Sequence, residues 1–184
     1  MEVYYQSHFI FNALSCIRAL TVLRPNEAED AVMALTDYLR ITTLDSLDIW
    51  IPLEQEMDGI EGFLKLEKLR FSRKFSYEMN VQTIDMNIPP LTIECYVEAL
   101  VRYSVLQQES GCISVMCFEQ EDGVVVEIWN DGIALDCESD LLDANTKKLL
   151  QHANKKLEEL FQAQISMEYQ GDRMHTVIVL QKRC

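Results

Sequence analysis

Positive charge is scarce in this chain. Lys and Arg total 16 against 30 Asp and Glu in 184 residues, a formal net charge of −14. That argues against a nucleic-acid-binding surface, which needs clustered basic side chains to neutralise phosphates. The acidic excess is read as a solvated surface and names no partner. Metal-site patterns are missing too. The six cysteines (Cys16, Cys95, Cys112, Cys117, Cys137 and Cys184) form no C-x-x-C pair, and His8, His152 and His175 lie far apart. No ligand spacing results, and free thiols suit a reducing cytosol. No apolar run approaches the ~20 residues of a membrane helix. The start is polar and lacks a basic segment, so no signal peptide is expected. A cytoplasmic location follows, or a membrane-attached one if the chain belongs to a longer sensor. What is present is an ordinary globular composition, 48% hydrophobic and 25% charged, in a length that allows one large domain or two small ones.

Residues 4–24 read as a first helix. Phe9, Ala13, Cys16, Leu20 and Leu23 recur at 4-3-4-3 spacing, a seam that packs lengthwise on other helices. Arg24-Pro25-Asn26 breaks it, and Asn26 with Glu29 resembles a capping box. Ala28, Ala31, Val32, Leu35, Tyr38 and Leu39 mark a second helix. The short connection predicts an antiparallel hairpin, which a dimeric four-helix bundle would complete. Pro52 suits the first turn of a third helix running to about Phe71.

The remainder mixes strands and helices. Phe75–Val81 reads as a strand, and Ile88-Pro89-Pro90 forces an extended entry into a helix over Leu91–Leu106. Cys112–Glu119 and Val124–Trp129 form a hairpin around Glu121-Asp122-Gly123. A helix over 146–161 follows, then a second hairpin, Ile165–Tyr169 with Met174–Leu180. The class is therefore α+β, helices first and a mixed sheet after. The boundary is placed near 43–52 or near 72, giving a hairpin region over 1–50 and a second domain over 51–184.

Within the first helix, His8 and Asn12 share one face beside the apolar seam. A histidine flanking a seam can be held in place and still meet solvent, as a phosphoryl-accepting imidazole must. A surface residue with no role is the commoner explanation for such a lone histidine.

Several motifs narrow this. Ser7-His8-Phe9-Ile10-Phe11-Asn12 is close to P-H-F-L-F-N, and Leu35–Arg40 is close to L-x-x-L-x-R, with Tyr38 at its second leucine. Leu53-Glu54-Gln55-Glu56 reads L-E-x-E, Phe63–Phe71 is close to Y-L-x-I-E-x-x-R-F, and Ile88-Pro89-Pro90-Leu91 reads I-P-P-L. In this order and spacing, over nearly the whole chain, the sequence resembles the LytS/YehU-like sensor histidine kinases. The resemblance implies a dimerising helical hairpin followed by a Bergerat-type ATP-binding α/β sandwich. It implies that His8 accepts a phosphoryl group, that Asn12 orients a water or the phosphorylated ring, and that a response-regulator receiver domain is the partner of a homodimer.

The nucleotide motifs of that family are altered. For V-E-N-A-x-K-H-G the chain has Val97-Glu98-Ala99-Leu100-Val101-Arg102-Tyr103-Ser104, keeping Glu98 and a basic Arg102. Ala99 supplies no oxygen to a hard cation. For D-N-G-x-G it has Asn130-Asp131-Gly132-Ile133-Ala134, where Asn130 can accept a hydrogen bond only without charge assistance. Both glycines of G-x-G-L-x-N-V-x-x-R-L are gone from Lys147–Leu157, where Lys147 and Lys148 are read as a solvated face, and Thr176 alone remains of the last G-T pair. Contacts worth ~1–3 kcal/mol each, lost together, remove about 5 kcal/mol, enough to make micromolar binding negligible. Glu98, Arg102, Asn130, Gly132 and Thr176 are the remnants of the nucleotide site, and no cofactor is expected. ATP and magnesium enter only if the chain is an active kinase that autophosphorylates on His8. The first reading is a phosphotransfer protein acting through His8, or a regulatory pseudokinase. A non-catalytic dimeric interaction module is the third.

Overall fold

The structure is a computed structural model describing residues 3–42, 49–71, 73–121, 123–132 and 139–181. Side chains are described from Phe9 onward. The connecting stretch 43–48, Ile133, Ala134, Cys137 and Cys184 lie outside the described residues.

Two helices open the chain, α1 (Val3–Leu23) and α2 (Pro25–Thr42). Pro25 is the first residue of α2, so the Asn26/Glu29 capping box does not form. Proline has no N–H to leave unsatisfied at that position, and Arg24 makes the turn with its N–H donating to Leu20 O at 2.9 Å. The seam of α1 holds at Phe9, Ala13 and Leu20, which are buried, while Leu23 is exposed at the helix end. In α2, Ala34 and Ile41 join the buried face and Val32 turns out to solvent. Helix α3 (Leu53–Arg70) follows, with Pro52 at its N-cap. It packs so closely on α2 that a Cβ at Gly62 would stand 2.3 Å from Ala34 O.

Among the described residues seven strands appear. The two-residue strands β1 (Ile51–Pro52) and β3 (Asn87–Ile88) pair antiparallel. The main sheet has the order β2-β4-β5-β7-β6, formed by β2 (Phe75–Val81), β4 (Gly111–Gln120), β5 (Gly123–Asn130), β6 (Gln164–Gln170) and β7 (Arg173–Gln181). The β2–β4 pairing is parallel and the rest are antiparallel. Alternation sends Ile113, Val115, Val126, Ile128 and Ile178 into the core beneath the helices.

The expected helix over Leu91–Leu106 is shorter and divided. Helix α4 spans Glu94–Tyr103, and a 3₁₀ turn covers Val105–Gln107. Leu91 adopts a left-handed φ of 63° and cannot be helical. The cause lies in α3. The buried Glu56 carboxylate accepts from Leu91 N at 2.9 Å, Ile93 N at 3.0 Å and Glu94 N at 3.1 Å, satisfying donors that a helix start leaves open. The L-E-x-E and I-P-P-L motifs thus meet as one structural joint. Helix α5 (Ala144–Phe161) completes the helical layer.

Candidate functional site

Phe9 sets the rotation of α1. Its ring lies 4.6 Å from Tyr38 of α2 and 5.0 Å from Phe63 of α3, centroid to centroid. With Phe9 fixed, the helix carries Asn12 to the rim of a cleft of about 170 Å³ between α1, α3 and α4. His8 occupies the backbone turn just before. Helix α3 brings Glu67 and Arg70 into the cleft, and α4 brings Glu98 and Arg102. Phe71, Val101 and Leu106 supply apolar wall.

Glu67 is buried and forms a hydrogen-bonded ion pair with Arg70. Burial raises its carboxyl above the usual range, opposed by the Arg70 charge. The Arg70 guanidinium lies 4.9 Å over the Phe71 ring. Burial pushes the Glu98 carboxyl up to about 7, against the opposing Arg102 charge. Glu98 therefore favours folding most below the ordinary carboxyl range. That contribution is lost as pH rises from about 4.5 through about 7, where the unfolded chain ionises and the native state resists. A Glu98→Gln variant is expected to match the parent at pH 4 and to melt higher by roughly 5 °C at pH 8, read by thermal melts across pH.

The cleft unites Asn12, Glu98 and Arg102. It excludes Asn130, Gly132 and Thr176. Between α4 and α5, Ala99, Tyr103 and Leu149, together with Glu98 and Arg102, leave a space of only about 10 Å³. Asn130, at the end of β5, donates from Nδ2 to Ser104 Oγ at 2.9 Å. Its Oδ1 and the Thr176 hydroxyl are buried without partners. The register pairs Asn130 with Met174 and Thr176 with Ile128, so the two are diagonal neighbours on the helix side of the sheet. Gly132 packs on Ser104 so tightly that a Cβ there would meet Ser104 Oγ at 1.9 Å. Asp131 accepts from Cys112 N at 3.0 Å and pairs with Arg173 Nε at 2.8 Å, tying β4, β5 and β7 together.

The N-terminus of α5 is filled by its own cap. Asp143 Oδ1 accepts from Asn145 N and Thr146 N, each at 2.9 Å. Its Oδ2 accepts from the Tyr103 hydroxyl. Lys147 faces Asp140 at 3.8 Å. His152 is exposed on α5, and His175 stacks on Trp129 at 3.8 Å on the far face of the sheet. Sequence reasoning quoted Glu67 and Arg70 as motif residues without assigning them to a site, although the E-x-x-R spacing puts them one turn apart on a helix. It did not single out Asp143, and it did not connect Tyr103 with it, because that clasp joins residues 40 apart. Among the described residues no cluster of His, Cys, Asp and Glu could hold a metal ion, and no helix is long and apolar enough to cross a membrane.

Comparison with known proteins places this geometry. Residues 4–75 match the Histidine kinase family profile. Sensor protein LytS of Staphylococcus saprophyticus is 23% identical over 189 residues, covering 97% of this chain and 32% of that protein. Sensor protein LytS of Streptococcus mutans is 36% identical over 113 residues, covering 59% of this chain and 19% of that protein. The chain thus spans less than a third of the length of these curated relatives. Among solved structures, the catalytic domain of histidine kinase ThkA superposes with a TM-score of 0.55 at 15% identity, covering 73% of this chain and 97% of that one. Histidine kinase ThkA in complex with response regulator protein TrrA superposes at 0.54 with 13% identity, covering 98% and 61%. These superpositions show a shared fold.

Proposed function

We propose, on the premise that this chain is a relative of the LytS-type sensor histidine kinases, that it is a two-component signalling protein that handles a phosphoryl group at His8 without taking it from bound nucleotide. Residues 1–50 form the acceptor and dimerisation unit and 51–184 an ATPase-like sandwich. Exposed Phe11, Leu14, Val32 and Met33 on the hairpin are the apolar surface a second copy would cover.

The observation that carries the reading is the self-capped α5. A helix N-terminus binds phosphate through free N–H groups and positive dipole. Here the Asp143 carboxylate takes those donors and adds negative charge, and Tyr103 holds it in place. Ala99 offers magnesium no ligand, and the space between α4 and α5 holds about one water, by the volume a water needs. These residues do not fit a magnesium nucleotide.

The phosphoryl source is then a receiver-domain aspartyl phosphate, the partner class that histidine kinase ThkA has in its complex. The unprotonated nitrogen of a neutral His8 imidazole attacks phosphorus. The P–N bond forms, the P–O bond breaks, and the aspartate leaves as carboxylate with the electron pair. The proton on the other ring nitrogen balances the charge until it is released. Asn12, one helical turn on, orients the ring.

Isothermal calorimetry with ATP-magnesium and with ADP is expected to show no binding heat. Incubation with a phosphorylated receiver domain is expected to leave an acid-labile label that His8→Ala abolishes. Micromolar nucleotide binding would sink the reading. It would favour an active kinase instead, the alternative that the unpartnered Asn130 Oδ1 and Thr176 hydroxyl support.

A further inference from the structure

We infer that the cleft between α1, α3 and α4 receives the phosphoryl group of the acceptor helix, with the Arg70 guanidinium as its anion-holding group and Glu67 as the residue that positions that guanidinium. The inference rests on the His8 reading and adds residues to it.

A carboxylate–guanidinium pair with its carboxylate buried is a poor way to gain stability. Taking the Glu67 charge from water is costly, and apolar residues of similar size often do as well or better. Glu67 and Arg70 nevertheless stand at a cleft wall, where Phe63 and Phe71 would otherwise make an apolar lining. The pair is asymmetric. Glu67 has 5% of its side chain exposed and Arg70 has 22%, so the carboxylate is the sunken partner and Arg70 the more open one. Guanidinium carries five N–H donors. Glu67 engages the Nη1 end, and the planar fork that remains matches phosphoryl oxygens better than a point charge would. Phe71 beneath the guanidinium fixes its plane.

The opposite wall of the cleft belongs to α1. Phe9 and Asn12 follow His8 by one residue and by one helical turn, and both line the same space. By the volume one water requires, about 170 Å³ admits roughly ten water-sized groups, so the cleft has room for an imidazole-bound phosphoryl group. The two carboxylates in the cleft do not cancel its attraction for an anion. Glu67 is compensated by Arg70, and Glu98, whose carboxyl burial raises to about 7, lies one turn from Arg102 on α4.

The test uses phosphoramidate as a chemical phosphoryl donor, with phosphorus NMR following the second ionisation of the phosphohistidine from pH 5.5 to 8.5. A neighbouring guanidinium lowers that ionisation by favouring the dianion. The parent chain is expected to show a value roughly one unit below that of Arg70→Gln. The double variant Glu67→Gln/Arg70→Gln, which leaves no unpaired buried charge, is expected to match Arg70→Gln. Thermal melts identify which variants are folded, and the double variant carries the comparison if Arg70→Gln does not fold. Equal ionisation in the parent and the folded variant would overturn the Arg70 assignment and leave the His8 reading intact. Absence of any His8 label in the parent would overturn both.

Discussion

Replacing Glu56 by alanine is expected to cost about 4 kcal/mol of folding stability and to lower the melting temperature by roughly 8–16 °C. One carboxylate satisfies three backbone N–H groups, those of Leu91, Ile93 and Glu94. A buried donor left without an acceptor costs about 1–3 kcal/mol, and side-chain truncation also opens a void at a fully buried position. Part of the loss is recovered, because burial and the charges of Glu98 and Glu56 together hold the Glu94 carboxyl well above its ordinary range. Removing Glu56 relieves one of those repulsions. Glu56→Gln keeps one acceptor oxygen and is expected to lose less than half as much. Glu54→Ala, two residues away and exposed, is expected to stay within about 0.5 kcal/mol. Denaturant unfolding of the three variants checks the order. Equal losses for Glu54→Ala and Glu56→Ala would mean that the carboxylate does not hold the start of α4.

That joint also shows where sequence reading succeeds and where it stops. The strands were legible to within about a residue at each end, because alternation and the Gly123 and Gly171 turns are local signals. The hairpin helices were legible from their seams, with Leu23 and Val32 misplaced because helix-end and face assignments depend on what packs opposite. Helix α4 was legible as a helix, but its ends were not. Its apolar pattern runs on past both ends, and only Glu56, 35 residues upstream of Leu91, decides where the helix starts. The parallel pairing of β2 with β4 and the β1–β3 pair are likewise set by long-range contacts. The same division runs through the site. Asn12, Glu98 and Arg102 were marked by motif and share one cleft. Arg70 belongs to that cleft only because α3 lies across α1, and Asp143 meets Tyr103 only because α5 folds onto α4.

Gly62 controls that arrangement, and Gly62→Ala is expected to destabilise the chain by about 3 kcal/mol. Helix propensity alone predicts the opposite sign, a gain of about 1 kcal/mol for alanine over glycine in a helix interior. Geometry overrules propensity here. The added Cβ would stand 2.3 Å from Ala34 O and 3.2 Å from Tyr38 N, both backbone atoms of α2. Backbone cannot rotate aside, so α2 and α3 must separate. Gly59→Ala is the internal contrast. Its Cβ would meet the Ile41 side chain, with Cδ1 at 2.3 Å and Cγ1 at 2.7 Å. A side chain can turn where backbone cannot, and the variant is expected to cost about 1–2 kcal/mol, less than Gly62→Ala. Separation at Gly62 reaches the site through the neighbouring rings, because Phe63 contacts Phe9 and Tyr38 together. Moving α2 away from α3 loosens Phe9, the residue that sets the rotation of α1. Gly62→Ala is therefore expected to lower His8 labelling by a receiver domain at temperatures where the variant is still folded, while Gly59→Ala labels like the parent. A stable Gly62→Ala variant with unchanged labelling would show that the close packing of α2 on α3 does not position the acceptor helix.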